Sequence, residues 1–194
     1  MFSIEKFCGL EKIESYFSIL VPVDLGDVEF TYNVRAERKN SFLKPMEGSV
    51  ENQRQYIKTY LNKFSRCEEV FYKIYDKTKE RYVGVVRITE LKSGTVVNWE
   101  SLVVEQSCSP QVPIDVMLVV YGVVFDWLER DQCGPWIVDR EFGSMMKIHK
   151  KIGMAKTVDS DDSHYHVLVE KRDFDARIEK YRRLNLGILP KLAV

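Results

Sequence analysis

Apolar residues recur along this chain with two different periods, and the change of period divides it into helices and strands. In the first third they recur every three or four positions, which is the spacing of one face of a helix. This pattern predicts one helix that begins after Asp24 and another that begins after Ser49, since both residues are good helix caps. A short strand at 17–23 precedes them.

The middle of the chain has the composition of strands. Three segments rich in β-branched and aromatic residues are separated by short polar turns, and this pattern predicts an antiparallel meander. The predicted strands are 70–75, 82–89 and 95–105.

A strongly apolar helix is predicted next, at about 114–130, because apolar residues occupy both of its sides. Pro113 suits the first helical turn, where its missing N–H has no helical partner. Gly134 and Pro135 are expected to end this unit. The remaining elements are a strand, a helix, two strands and an amphipathic helix, at 136–139, 142–152, 154–158, 164–170 and 174–184.

This order of elements predicts the α+β fold class. The expected architecture is a mixed central β-sheet, made of an antiparallel meander, a helical crossover and a C-terminal hairpin, and flanked by helices. A length of 194 residues suits one domain, 1–194, with 173–194 as a C-terminal helical tail.

Composition limits the kinds of binding partner that the sequence predicts. The 29 basic and 29 acidic residues balance, so no net charge draws the protein to nucleic acid or to a membrane surface. No apolar run reaches the ~18 residues of a membrane span and no signal peptide is visible, so the expected location is cytoplasmic. The four cysteines form no zinc-type pair, and we expect reduced thiols and no metal.

Two segments resemble motifs of the GCN5-related N-acetyltransferase (GNAT) superfamily. The strand Tyr82-Val-Gly-Val-Val-Arg-Ile88 resembles its G-x-(V/I)-x-(L/I) strand. The segment Ile148-His-Lys-Lys-Ile-Gly-Met154 resembles its Leu-Tyr-Glu-Lys-Leu-Gly-Phe segment, with His149 in the tyrosine position. The resemblance covers about 17–170. It implies a GNAT-like acetyltransferase domain that uses acetyl-CoA as co-substrate.

A narrower resemblance is to a bacterial GNAT branch often encoded with surface-polysaccharide genes. Its members are thought to acetylate amino groups of nucleotide-linked sugars. The resemblance implies a small-molecule amine as the acceptor, with a nucleotide-linked amino sugar as one candidate. The matching residues are Arg35, Asn40-Ser-Phe-Leu43, Glu51-Asn-Gln53, Tyr56-Ile57, Tyr60, Val86-Arg87-Ile88 and Trp99-Glu-Ser101.

The expected coenzyme loop departs from the superfamily. The usual pattern is Gln/Arg-x-x-Gly-x-Gly/Ala, whereas 106–114 contains no glycine. Glycines let the backbone approach phosphate closely, and a helix N-terminus is itself an anion site. The superfamily's Asn after the fifth strand corresponds here to Phe142. These departures leave open an alternative, a GNAT-like interaction module without catalytic activity.

The resemblance also implies three sets of site residues. Glu100 is the expected base for the acceptor amine, with Trp99 and Leu102 shielding it from water. His149 is the expected acid for the departing thiolate, with Tyr165 in reserve. The coenzyme is expected to contact Leu102, Val103, Val104, Ser109, Gln111, Val112, Ile114 and Asp115. The acceptor is expected to contact Arg35, Asn40 and Arg87.

Each of these assignments has an ordinary structural alternative. Glu100 also suits a solvated strand, His149 an apolar helix face, and the arginines surface ion pairs. Two further questions stay open. The acceptor is a small amine or, alternatively, a protein N-terminus or lysine. The tail helix packs on its own domain or on a second copy, as in a homodimer.

Overall fold

The computed structural model describes residues 3–36, 48–94, 96–139, 155–160 and 164–183. The strands are β1 (Ile13–Glu14), β2 (Ser18–Pro22), β3 (Val70–Asp76), β4 (Arg81–Thr89), β5 (Val96–Val104), β6 (Gln132–Asp139), β7 (Ala155–Ser160) and β8 (His164–Glu170). The helices are α1 (Ile4–Cys8), α2 (Val28–Ala36), α3 (Val50–Ser65), α4 (Val112–Gly122) and α5 (Lys171–Arg183).

The described strands form one mixed sheet in the order β1-β2-β3-β4-β5-β6-β8-β7. Strands β1 to β5 pair antiparallel with one another in chain order, α4 then crosses over, and β6 pairs parallel to β5. The pairs β6–β8 and β8–β7 are antiparallel and close the sheet with a hairpin. The α+β class, the meander, the crossover and the C-terminal hairpin are confirmed.

Each face of the sheet carries its own apolar core. On one face α4 packs with α1, and α4 is buried on nearly every side, as its sequence predicts. On the other face α2 and α3 pack on β3, β4 and β5. None of the described helices is both long enough and apolar enough to cross a bilayer.

The predicted helix caps are present. Ser49 accepts the N–H of Asn52 at 3.3 Å and begins α3. Asp24 accepts the N–H of Gly26 at 2.6 Å, but it caps a 3₁₀ turn, Leu25–Asp27, that continues into α2. Both helices therefore begin where short-range hydrogen bonds place them.

Several elements differ from the sequence prediction. α1 and β1 were not predicted, because five and two residues are too few to show a period. Gly134 and Pro135 lie inside β6 instead of preceding it. The apolar helix begins at Val112 and ends in a π-helical turn, Val123–Trp127. The predicted helix 142–152 lies outside the described residues.

Candidate functional site

β5 and β6 lie side by side only where they begin. Their parallel ladder joins Val96 to Gln132 and Val97 to Cys133 and, within the described residues, extends no further. Gly134 and Pro135 follow at once; Pro135 has no N–H to donate, and the β6–β8 ladder is irregular here too. The rest of β5 therefore has one edge paired to β4, and its other edge has no strand partner among the described residues; we call this separation of β5 from β6 the gap. The amides of an extended ligand can pair with such an edge.

A β-bulge interrupts β5 beside this gap. Arg87 pairs with Glu100 and Val85 pairs with Val103, so one residue of β4 faces two residues of β5. Ser101, within the bulge, has a φ of 58°, a left-handed conformation that residues other than glycine rarely adopt. Bulges redirect side chains and are frequent next to active sites.

Glu100 and its two neighbours lie on different faces of the sheet. Trp99 is buried on the α4 face, where its ring centroid lies 5.9 Å from that of Tyr121. Leu102 packs against the same core. Glu100 lies on the α2–α3 face and is 49% exposed. The expectation that Trp99 and Leu102 shield Glu100 from water is therefore wrong, because strand alternation puts Trp99 on the opposite face and the bulge at Ser101 moves Leu102 there as well.

Arg87 connects Glu100 to helix α3. Its Nη2 lies 2.9 Å from Glu100 Oε2, and its Nη1 donates a hydrogen bond to Tyr56 OH at 2.6 Å. Burial raises the pKa of Tyr56, while the positive charges of Arg87 and Arg35 act in the opposite direction. The structure thus brings together Arg35, Tyr56, Arg87 and Glu100, which we call the Arg87 cluster.

Tyr56 was not among the predicted site residues. Tyr56 is one of the residues that match the amino-sugar branch, and this match was the sequence feature that could have identified it as a site residue. Its contact with Arg87 joins α3 to β4 across 31 positions of the chain, which local sequence patterns do not reveal.

The loop between β5 and α4, residues 105–111, is fastened by Asp76 at the end of β3. The Asp76 carboxylate is fully buried and accepts the N–H of Ser109 at 2.7 Å and its Oγ–H at 3.1 Å. It also accepts the N–H groups of Thr78 and Lys79, at 2.9 and 3.1 Å. Burial by itself would raise the pKa of Asp76, but these hydrogen bonds outweigh it and lower the pKa.

A second contact fastens the other end of the same loop. Arg81 donates from Nη2 to Ser107 Oγ at 2.7 Å, and its Nη1 lies 2.6 Å from Glu105 Oε2. Arg81 and Asp76 are direct partners in the β3–β4 ladder. One end of a single hairpin therefore holds the loop at both Ser107 and Ser109.

The first turn of α4 offers few free donors. Val112 donates its N–H to Ser109 O and Asp115 donates to Gln111 O, at 3.0 and 2.9 Å. Pro113 has no N–H. The N–H of Ile114 is left without a hydrogen-bond partner among the described residues.

Asp115 is engaged inside the protein. Its buried carboxylate accepts hydrogen bonds from Ser15 Oγ and Ser18 Oγ, both at 2.6 Å, and from the N–H of Phe17 at 3.3 Å. Burial raises its pKa and these donors oppose the rise. Asp115 therefore fastens the β1–β2 hairpin to α4, and neither its N–H nor its carboxylate is available to the coenzyme.

The remaining predicted residues fall elsewhere. Tyr165 lies half-buried in β8 opposite Val138 of β6, so β6 separates its strand from β5. Asn40 and His149 lie outside the described residues. In the described part of the chain, no group of three or more acidic, histidine or cysteine side chains is arranged to hold a metal. The four cysteines, all described, form no disulfide.

Comparison with known proteins identifies the fold. No family model matches the sequence, and no curated protein does. Among solved structures, apo FdhC, a nucleotide-linked sugar GNAT, superposes with a TM-score of 0.79 at 21% identity, over 91% of this chain and 98% of its own.

More distant structures agree. A GCN5-related N-acetyltransferase from Brucella melitensis has a TM-score of 0.67 at 14% identity, over 90% of this chain and 85% of its own. The spermidine N-acetyltransferase of Vibrio cholerae, solved with CoA and spermine, has a TM-score of 0.62 at 13% identity, over 81% of this chain and 97% of its own. These likenesses show that the chain has the GNAT fold.

Proposed function

We propose that this chain is an acetyl-CoA-dependent N-acetyltransferase that acts on the amine of a small acceptor by direct transfer in a ternary complex. The observation that carries the proposal is the edge of β5 beyond Val97, which has no strand partner in the described part of the chain, with Glu100 held at a bulge beside it. This arrangement provides one wall for an extended amide-containing ligand and a carboxylate next to it.

The gap between β5 and β6 suits the pantetheine arm of the coenzyme. Its amides need backbone partners in an extended strand, and the edge of β5 at Leu102, Val103 and Val104 offers them. The loop 105–111 and the N–H of Ile114 lie at the end of that strand, where the pyrophosphate would follow. Gln111 and Val112 belong to the same turn. When bound, acetyl-CoA supplies the activated acetyl group as a thioester.

Glu100 is the proposed proton acceptor. An alkylammonium must lose a proton before it attacks a thioester, so a nearby base accelerates the reaction. The Glu100 carboxylate is half-exposed, and Arg87 holds one of its oxygens at 2.9 Å. It can therefore take the proton directly or through one water. For the proton that goes to the thiolate we propose His149 first and Tyr165 second.

A nucleotide-linked amino sugar is the acceptor class that we propose. The positive charges of Arg87, paired with Glu100, and of Arg35 both act on Tyr56, and guanidinium groups bind phosphate with two parallel hydrogen bonds. The same charges would repel a polyamine. FdhC, which superposes over most of the chain, is a nucleotide-linked sugar GNAT. Asn40 is proposed as a further contact of the acceptor.

A thermal-shift titration with acetyl-CoA tests the coenzyme, with free CoA and ATP as comparisons. A ligand that binds only the folded state raises the melting temperature with its concentration. We expect a saturable shift with acetyl-CoA and CoA and none with ATP. No shift at millimolar acetyl-CoA would overturn the proposal in favour of a GNAT-like interaction module.

The acceptor is then found by assaying release of free thiol against three groups of amines. These are nucleotide-linked amino sugars, polyamines, and peptides with a free N-terminus or lysine. We expect turnover with the first group. Turnover with peptides alone would support a protein acetyltransferase instead.

A further inference from the structure

The buried carboxylate of Asp76, at the start of the β3–β4 turn, holds the loop 105–111. Asp76 is not among the predicted site residues. Asp76 is fully buried, and four donors surround its carboxylate. Two of these donors belong to its own turn and two belong to Ser109, 33 positions away. The long-range pair is the one that acts on the loop.

The loop has no glycine and therefore lacks the usual means of bending its backbone around a phosphate. A loop of ordinary residues must be held in its binding shape by other contacts. Asp76 at Ser109 and Arg81 at Ser107 supply such contacts from one hairpin end. Both the N–H and the hydroxyl of Ser109 are used in this way, so Ser109 has no donor left for a phosphate.

We propose that Asp76 is a positioning residue for coenzyme binding, which acts through Ser109 by keeping the loop 105–111 in the shape that receives the pyrophosphate. This inference rests on the proposed function. Ser109 changes role accordingly: it is the point where the loop is fastened, and the phosphate contacts fall to its neighbours and to Ile114.

Asp115 provides a matched control in the same region. It is also a buried carboxylate that accepts hydrogen bonds from a distant part of the chain. Its partners are Ser15 and Ser18 of the β1–β2 hairpin, so it does not fasten the loop. A variant at Asp115 therefore reports the general cost of removing a buried carboxylate near α4.

The experiment compares Asp76→Asn, Ser109→Ala and Asp115→Asn with the wild type. Each protein is measured without ligand by amide hydrogen exchange of the loop, and with acetyl-CoA by calorimetry. For Asp76→Asn we expect faster exchange across 106–111 and a dissociation constant raised about tenfold, since an amide presents a donor where the loop also presents donors. The Michaelis constant for the acceptor should stay within about twofold.

The milder Ser109→Ala variant removes only the hydroxyl contact. It should raise the dissociation constant about threefold, and it replaces Asp76→Asn if that variant does not fold. Asp115→Asn should lower the melting temperature while leaving loop exchange and coenzyme affinity unchanged. Equal effects of the Asp76 and Asp115 variants on affinity, or unchanged loop exchange in both Asp76→Asn and Ser109→Ala, would overturn the inference.

Failure of this inference is distinguishable from failure of the proposed function. If the proposed function is wrong, the wild-type protein does not bind acetyl-CoA. Loop exchange in the ligand-free variants is measured independently of any coenzyme. A wild type that does not bind acetyl-CoA removes the coenzyme role of Asp76 as well, whatever the loop exchange shows.

Discussion

Arg87 and Glu100 are direct partners on β4 and β5, and their side chains form an ion pair with 2.9 Å between Nη2 and Oε2. The Arg87 side chain is 16% exposed and the Glu100 side chain 49%, so the pair connects the α2–α3 core to the solvent. One carboxylate oxygen is fixed by Arg87. The other has no hydrogen-bond partner among the described residues.

Replacing Glu100 by Gln should remove the proposed proton acceptor while keeping the size of the side chain. We expect kcat/KM for the acceptor to fall about 10²-fold, the usual effect of losing a general base. The dissociation constant for acetyl-CoA should not change, because the proposed contacts of the coenzyme are with the backbone of β5. Thiol-release kinetics and calorimetry measure the two quantities.

Glu51→Gln is the matched control for that variant. Glu51 lies in the first turn of α3, is 63% exposed and pairs with Arg54 at 3.2 Å. It should have wild-type kinetics. If Glu100→Gln retains activity within twofold of the control, Glu100 is not the base.

Tyr56→Phe tests whether the phenol keeps Arg87 in place. The change removes the acceptor of the 2.6 Å hydrogen bond and leaves a guanidinium N–H unpaired. We expect kcat/KM for the acceptor to fall about tenfold, through a displaced Arg87. Steady-state kinetics with acceptor and coenzyme varied separately will show whether the loss is confined to the acceptor.

Tyr60→Phe separates this effect from general damage to α3. Tyr60 lies one turn further along the helix, is buried, and donates from its OH to Phe71 O at 3.3 Å. Its loss should lower the melting temperature and leave kinetics within twofold. Equal losses of activity in both tyrosine variants would contradict a specific role for Tyr56.

The sequence predicted well those elements whose evidence lies within a few neighbouring residues. The meander, the two capped helices and the C-terminal hairpin depend on period, turns and caps within short windows. The position of Glu100 on a strand beside the gap followed from the family resemblance. Its surroundings did not, since a bulge at Ser101 decides which side chains share its face.

The contacts that fasten the site are long-range, and no local pattern encodes them. Asp76 and Ser109 are 33 positions apart, and Asp115 and Ser15 are 100 apart. An Asp at the start of a turn does predict hydrogen bonds to N–H groups two or three residues on, and Asp76 makes them to Thr78 and Lys79. The sequence carried no signal for the further reach to Ser109.

Gly84→Ala should strain the sheet beside the bulge. A Cβ at this position would lie 2.3 Å from Val103 O and 2.9 Å from Val104 Cα, which are backbone atoms that cannot move aside cheaply. We expect the free energy of unfolding in urea to fall by about 3 kcal/mol. Gly94→Ala is the comparison: its φ is 75° but no atom lies within 4 Å of the new Cβ, so only about 1 kcal/mol should be lost. Equal losses of stability in the two variants would show that β5 moves away from the new Cβ at position 84 at little cost.

Lys73→Met should leave the Asp27 carboxylate, next to α2, without its counter-charge. Lys73 Nζ lies 2.7 Å from Asp27 Oδ1, and the two side chains are 12% and 14% exposed. Removing Lys73 leaves the part-buried Asp27 carboxylate without its counter-charge and with the N–H of Asp24, at 3.0 Å, as its remaining donor, which we expect to cost about 2 kcal/mol. The double variant Asp27→Asn/Lys73→Met should regain part of that loss in urea unfolding. If the double variant is no more stable than Lys73→Met, the unbalanced charge of Asp27 is not the cause of the lost stability.

The two buried carboxylates near the loop 105–111, Asp76 and Asp115, should respond to acid with opposite signs. The pKa of Asp76 is lowered by its hydrogen bonds, so the stability that it contributes is present above about pH 4, the pKa of an unfolded Asp, and is lost as the pH falls through its folded value. The pKa of Asp115 is raised by burial, so the native state holds that proton more tightly. Its contribution is fully present below about pH 4 and is lost as the pH rises through the folded value.

Urea unfolding of the wild type, Asp76→Asn and Asp115→Asn across acid pH measures both effects. The stability lost in Asp76→Asn, relative to the wild type, should shrink as the pH falls below about 4, because the wild-type carboxylate becomes protonated too. The stability lost in Asp115→Asn should instead grow as the pH falls towards about 4, because protonation there favours the native wild type. If the loss in Asp76→Asn instead grew as the pH falls, hydrogen bonds would not outweigh burial at Asp76, and the fastening of Ser109 would be weaker than its 2.7 Å contact implies. If the loss in Asp115→Asn shrank as the pH falls, burial would not raise the pKa of Asp115.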